Sequence, residues 1–132
     1  MLTMNGVKSV QKKILVIDDE GDLLKLARTR LEASGYKVLT IDSGDRAVEF
    51  AGSEKPDLIL LDIMMPGKNG CDVCRELKAD KATGSIPVMV FTAQYQGEEY
   101  VKTILEETGA DDYVLKPFDA QTFLAKIKFL IK

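Results

Sequence analysis

Asp18, Asp19, Asp62, Thr92 and Lys116 stand far apart in the chain, yet their side chains could act together on a charged group. Each follows a short apolar run: Ile14-Leu15-Val16-Ile17 before the acidic pair, Leu58-Ile59-Leu60-Leu61 before Asp62, Val88-Met89-Val90-Phe91 before Thr92, and Tyr113-Val114-Leu115 before Lys116. Aliphatic runs without a polar break read as strands buried on both faces, the pattern of a parallel sheet covered by helices. Parallel strands point the same way, so their ends bring these side chains to one edge, where open α/β sheets bind ligands. Three carboxylates that close raise one another's pKa unless a cation sits among them. An all-oxygen set without His or Cys suits a hard ion that keeps several waters, which selects Mg²⁺. Lys116 adds a fixed positive charge and Thr92 a hydroxyl donor. A dianionic phosphoryl group fits such a site: ion and lysine hold its oxygens, the hydroxyl bonds a third, and Asp62 attacks in line as the nucleophile.

The elements that must position these residues alternate with little waste. The first strand, at 14–17, leads into a helix expected over 20–34, with Leu23, Leu24, Ala27 and Leu31 on one face and Gly35 as its stop. A second strand covers 36–41. Asp42-Ser43-Gly44 should open a shorter helix with Ala47, Phe50 and Ala51 inward, closed by Lys55-Pro56, because the residue before proline avoids helical angles. The third strand ends in Asp62 just before Pro66-Gly67, and a helix over 69–79 follows. A fourth strand is expected over 86–92 with Pro87 at its start. Residues 97–108 should be helical and end at Gly109, and 112–116 form a fifth strand. Asp119 caps a last helix carrying Phe123, Ile127 and Leu130 at helical spacing. Five strands alternating with five helices give a three-layer, doubly wound α/β sandwich with a parallel five-stranded sheet and right-handed crossovers.

Composition narrows the function. A chain of 132 residues makes one domain that can bury roughly two thirds of its unfolded surface. A net charge of −3 gives no basic excess to attract nucleic acid or anionic lipid, so neither is expected as a direct partner. Without histidine, chemistry falls to carboxylates, hydroxyls or lysine. Residues 1–11 lack the apolar run of a secretory signal and read as a flexible arm before a folded domain at 12–132. No stretch approaches the roughly 18 apolar residues of a membrane span, so the expected location is cytoplasmic.

Other readings of the same residues are weaker. Asp18, Asp19 and Asp62 could each be loop-capping acids, but not readily all three together with Thr92 and Lys116. Cys71 and Cys74 form a C-x-x-C, yet zinc would need two more ligands, and the pair lies in an apolar helical pattern with Val73 and Leu77. They read as buried helix positions. A phosphatase of the haloacid dehalogenase type carries its nucleophile on the first strand in D-x-D-x-T, which Asp18-Asp19-Glu20-Gly21-Asp22 does not match. A flavodoxin-like cofactor binder needs a loop of N–H donors after the first strand, where these acids would repel phosphate.

The motifs Ile17-Asp18-Asp19-Glu20, Leu61-Asp62-Ile63-Met64-Met65-Pro66-Gly67, Val90-Phe91-Thr92-Ala93 and Asp111-Asp112-Tyr113-Val114-Leu115-Lys116-Pro117-Phe118 resemble the receiver domain of two-component response regulators, in the CheY-like superfamily. The resemblance runs from about Lys12 to the end of the chain. It implies a flavodoxin-like sheet in the order 2-1-3-4-5 and a phosphorelay switch. Asp62 would take a phosphoryl group from a sensor histidine kinase or a histidine phosphotransfer protein. Asp18, Asp19, Asp62 and the backbone carbonyl of Met64 would hold Mg²⁺. Lys116 would bind the phosphoryl group, with a cis bond to Pro117; Thr92 would move toward it and Tyr113 would turn inward. Met64 and Gln94 occupy places that in the family tune access of the hydrolytic water. The domain would catalyse its own phosphorylation and dephosphorylation rather than act as an enzyme on a separate substrate, and would switch the 97–118 region to control an output partner. In family members that dimerise, acids and bases alternate across the interface; Asp111, Asp112, Lys126 and Lys128 could serve, but Thr122 stands where an acid is usual. The alternative is a receiver-shaped interaction module that works without phosphorylation. No DNA-binding or catalytic effector follows in this sequence, so a free-standing receiver and a piece of a longer regulator or hybrid kinase both remain open.

Overall fold

In the computed structural model, which describes residues 11–65, 69–93, 97–116 and 118–131, the strands are β1 (Lys13–Ile17), β2 (Lys37–Ile41), β3 (Leu58–Asp62), β4 (Val88–Ala93) and β5 (Asp112–Lys116). They alternate with α1 (Gly21–Ala33), α2 (Ala47–Glu54), α3 (Gly70–Ala79), α4 (Glu98–Thr108) and α5 (Ala120–Ile131). All strand pairs are parallel and the order is β2-β1-β3-β4-β5, the doubly wound arrangement expected above. The segment proposed as an arm lies, up to residue 10, outside the described residues, as do Pro66, Gly67 and Pro117.

Side-chain alternation along the strands divides the interior into two cores. Leu15, Ile17, Ile59, Leu61, Val88 and Val90 face α2, α3 and α4, where Ala47, Ala51, Val73, Leu77 and Ile104 meet them. On the opposite face, Ile14, Val16, Leu58, Leu60, Met89 and Phe91 pack against Ala27 and Leu31 of α1 and Phe123 and Ile127 of α5. Every residue of β3 is buried, which is why its sequence lacks polar alternation.

Element ends follow local chemistry, and some differ from the sequence expectation. Gly35, at φ 95°, terminates α1, and Gly109, at φ 77°, terminates α4. α2 begins at Ala47 rather than near Asp42, because the Ser43 hydroxyl accepts from Asp45 N–H and Gly44 C=O accepts from Ala47 N–H, closing turns instead of a helix. Phe50 of α2 is only half-buried. Lys55 ends that helix in the left-handed region at φ 51°, consistent with the bar on helical angles before Pro56. β4 starts at Val88, one residue after Pro87, whose carbonyl accepts from Ile59 N–H at 3.0 Å although the proline has no N–H to return. Asp119 caps α5, its Oδ2 accepting from both Thr122 N–H (2.9 Å) and the Thr122 hydroxyl (3.0 Å).

Gly70 ties α3 to the end of β3. Asn69 caps the helix through Asp72 N–H, while Gly70 N–H donates to Ile63 C=O at 3.0 Å. A Cβ at residue 70 would collide with the carbonyl oxygen of Asp62 and the Cα of Ile63. Gly70→Ala is therefore expected to force the strand end and helix apart and to destabilise the fold by about 1–3 kcal/mol, as overpacking does, read as a lowered midpoint in urea unfolding.

Candidate functional site at the carboxyl edge of the sheet

Because β1, β3 and β5 run parallel, their last side chains on one face converge: Asp18 after β1, Asp62 at the end of β3 and Lys116 at the end of β5. Asp18 is fully buried and Asp62 is 3% exposed. Lys116 Nζ lies 3.1 Å from Asp18 Oδ2 and 3.5 Å from Asp62 Oδ2. It also stands 5.6 Å from the centre of the Phe91 ring, within the range of a cation–π contact. The remaining carboxylate oxygens are held by the turns that follow the strands: Asp18 Oδ1 accepts from Glu20 N–H (2.9 Å) and Asp62 Oδ1 from Met64 N–H (3.1 Å).

The sequence expectation placed Asp19 in this cluster. In the structure Asp19 is exposed, and the third carboxylate whose oxygen lies within 4.8 Å of those of Asp18 and Asp62 is that of Glu20, itself 3.3 Å from Lys116 Nζ. Sequence reading assigned Glu20 to the start of α1 and passed over it; its place in an unbroken acidic run directly after a strand was the available signal. Gly70, which fits against the Asp62 backbone, was missed as well, and a glycine opening a helix instead of closing one was the clue.

Thr92 is 3% exposed, and its hydroxyl is buried without a hydrogen-bond partner among the described residues. By alternation along β4 it follows Val88 and Val90 toward the α4 side, whereas Asp62 follows Leu58 and Leu60 toward the α1 and α5 side. An orphaned buried hydroxyl costs free energy on the order of 1–3 kcal/mol, so this group is poised to take a partner. Met64 is 59% exposed at the mouth of the site, and Gln94 lies outside the described residues.

Tyr113 is half-buried against the α3 and α4 core. Lys126 Nζ donates to its carbonyl at 2.6 Å, stands 4.1 Å from its ring centre and pairs with Asp112 at 3.1 Å. Asp111 pairs with Lys78 (2.7 Å) and accepts from Val88 N–H (2.8 Å). Three of the charges considered for a subunit interface, Asp111, Asp112 and Lys126, thus have partners within the chain. Cys74 is buried with its thiol donating to Thr108 C=O, whereas Cys71 is half-buried rather than fully so. Burial pushes both thiols above the ordinary cysteine range, the opposite of what a reactive pair needs.

Electrostatics at the edge are strained in a defined sense. Burial, and then the neighbouring Asp18 charge, push the Asp62 carboxyl up from 3.8 to about 6, against the opposing pull of Lys116 and Met64 N–H. Burial alone would lower the Lys116 pKa, but the hydrogen bond to Asp18 and the charges of Asp62, Asp18 and Glu20 outweigh it and hold the ammonium above the usual lysine range. The buried carboxylates of Asp18 and Asp62, hard oxygen donors with no nitrogen or sulfur ligand beside them in the cluster, fit a hard divalent cation such as Mg²⁺.

A five-stranded parallel sheet in this order, with its polar site at the strands' carboxyl ends, defines the flavodoxin-like class of doubly wound α/β proteins. A family model described as the response regulator receiver domain matches residues 14–128, and the chain belongs to that family, whose members are phospho-acceptor signalling domains of two-component systems. It is 42% identical over 123 residues to the alkaline phosphatase synthesis transcriptional regulatory protein PhoP of Bacillus subtilis, covering 93% of this chain and 50% of that one. It is 40% identical to the phosphate regulon transcriptional regulatory protein PhoB of Pseudomonas aeruginosa, covering 93% and 53%. It superposes with a TM-score of 0.81 on the BeF3-activated N-terminal receiver domain of Klebsiella pneumoniae RstA, at 33% identity over 92% of this chain and 99% of that one. The chain spans about half the length of the curated relatives it matches. Among the described residues, no helix is long and apolar enough to cross a membrane.

The raised Asp62 pKa has a signed consequence for stability. Between pH 3.8 and about 6 the folded state keeps a proton that the unfolded chain has lost, so stability falls as pH rises through that window. Asp62→Asn, which cannot ionise, should raise the melting temperature of the metal-free protein by a few degrees at pH 7, and the gain should shrink toward zero near pH 4. Thermal melts across that range check both the sign and the window.

Proposed function

We propose that Asp62 is the phospho-acceptor of this receiver and that Asp18, Asp19, Thr92 and Lys116 form its working site. The observation that carries this reading is the single ammonium of Lys116 ion-paired at once with buried Asp18 and buried Asp62. The donor is a phosphohistidine on a sensor histidine kinase or a histidine phosphotransfer protein. An Asp62 oxygen forms the new P–O bond as the P–N bond breaks, and the imidazole nitrogen keeps the bonding pair and takes up a proton. Lys116 holds one phosphoryl oxygen. Asp18, Asp62, the exposed Asp19 and the Met64 carbonyl would hold Mg²⁺, which when bound would neutralise charge on the phosphoryl oxygens.

The same residues serve removal of the phosphoryl group by water, so the domain acts catalytically only on itself. Thr92 supplies the switch: its unpartnered hydroxyl gains an acceptor in the phosphoryl group, and leaving its present position opens space beside α4 and Tyr113. The 97–118 region then presents a different face to an output partner. Driving that change from about 1:99 to 99:1 takes about 5.5 kcal/mol of preference for the active form. The location is cytoplasmic, where such kinases present their phosphohistidines.

Acetyl phosphate with Mg²⁺ should add one phosphoryl group by intact mass, and none to Asp62→Asn. A chain that stays unmodified would point instead to an interaction module independent of phosphorylation. Beryllofluoride with Mg²⁺ should shift the NMR signals of Thr92 and Tyr113; resonances that stay in place would contradict the switch.

A further inference from the structure

The three carboxylates around Lys116 are not equivalent. Asp18 and Asp62 are buried and fixed at strand ends, whereas the Glu20 side chain is 62% exposed and carries one more methylene. The Glu20 backbone is anchored at both sides: its N–H donates to Asp18 Oδ1 and its carbonyl accepts from Leu24 N–H at 3.0 Å. Only its side chain is left to move. A divalent ion that uses Asp18 and Asp62 draws on the two carboxylates that Lys116 already engages, and two cations sharing the same acids repel. With those two acids alone, loading the ion would strand the ammonium in a half-buried place against the Phe91 ring. Glu20 offers an acceptor 3.3 Å from Nζ on the solvent side of the pair.

We propose that Glu20 is a positioning residue that receives the Lys116 ammonium when a divalent ion occupies Asp18 and Asp62, so that ion and lysine stand side by side instead of excluding each other. Glu20 acts through Lys116 and does not ligate the ion. This inference rests on the reading of Asp18 and Asp62 as ion-holding acids. It gives a role to a third carboxylate in the cluster, for which the family resemblance implied none.

A double-mutant cycle on the full chain tests it, with Mg²⁺ dissociation constants from NMR titration of backbone amides and folding followed by circular dichroism. In the Lys116 background, Glu20→Gln should weaken Mg²⁺ binding about fivefold, the upper range for an exposed ion pair. Glu20→Ala, which cannot accept a hydrogen bond, should match or exceed that loss. In the Lys116→Met background the same changes should leave Mg²⁺ affinity unaltered; Lys116→Ala takes that place should the methionine variant not fold. An equal loss in both backgrounds makes Glu20 a direct or long-range contributor and overturns the proposal, as does no loss in either. An unaltered chain that binds no Mg²⁺ overturns the ion-site reading itself, and this inference with it.

Discussion

One ammonium group shared by three carboxylates is the interaction on which the working end of this molecule depends. Asp18 and Asp62 are carried out of water by strands that could not end elsewhere, and each charge alone would be costly to bury. Lys116 makes the arrangement tolerable without making it comfortable, as the upward shift of Asp62 records. The protein holds, in its resting form, a negative surplus at a point enclosed by apolar neighbours. Such a surplus favours whatever cation and whatever re-partnering relieve it.

The scaffold around that point explains why it stays in place. β3 lies at the centre of the sheet with β1 and β4 beside it, and every residue of it is buried. Its end cannot swing without moving both cores. α3 locks it from the far side, since Gly70 leaves the helix start against the Asp62 backbone with no room for a side chain. The rigid part of the site is thus the Asp62 carboxylate, and the exposed Glu20 side chain, exposed Met64 and the Thr92 hydroxyl are less constrained.

Much of this was legible in the sequence because strong periodic signals and strand-end chemistry coincide. The apolar runs locate all five strands, and they put Asp18, Asp62, Thr92 and Lys116 at or next to strand ends. What escaped were features that depend on how neighbours in sequence diverge in space. Asp19 and Glu20 are adjacent acids, and only the path of the chain into α1 decides which of them turns toward Lys116. The opening of α2 was misplaced because Asp42-Ser43-Gly44 suits a turn as well as a helix cap, and hydrogen bonding within the turn won. Gly70 carried no periodic signal, since its role is to be absent of side chain.

The division of the interior has a further consequence. Among the described residues the two hydrophobic cores share no member, so the sheet works as a partition with α2, α3 and α4 in one compartment and α1 and α5 in the other. A mutation that loosens packing in one compartment acts first on that side and reaches the other through the strands the two share. The two helical layers thus answer to separate sets of side chains on one blade of β-structure.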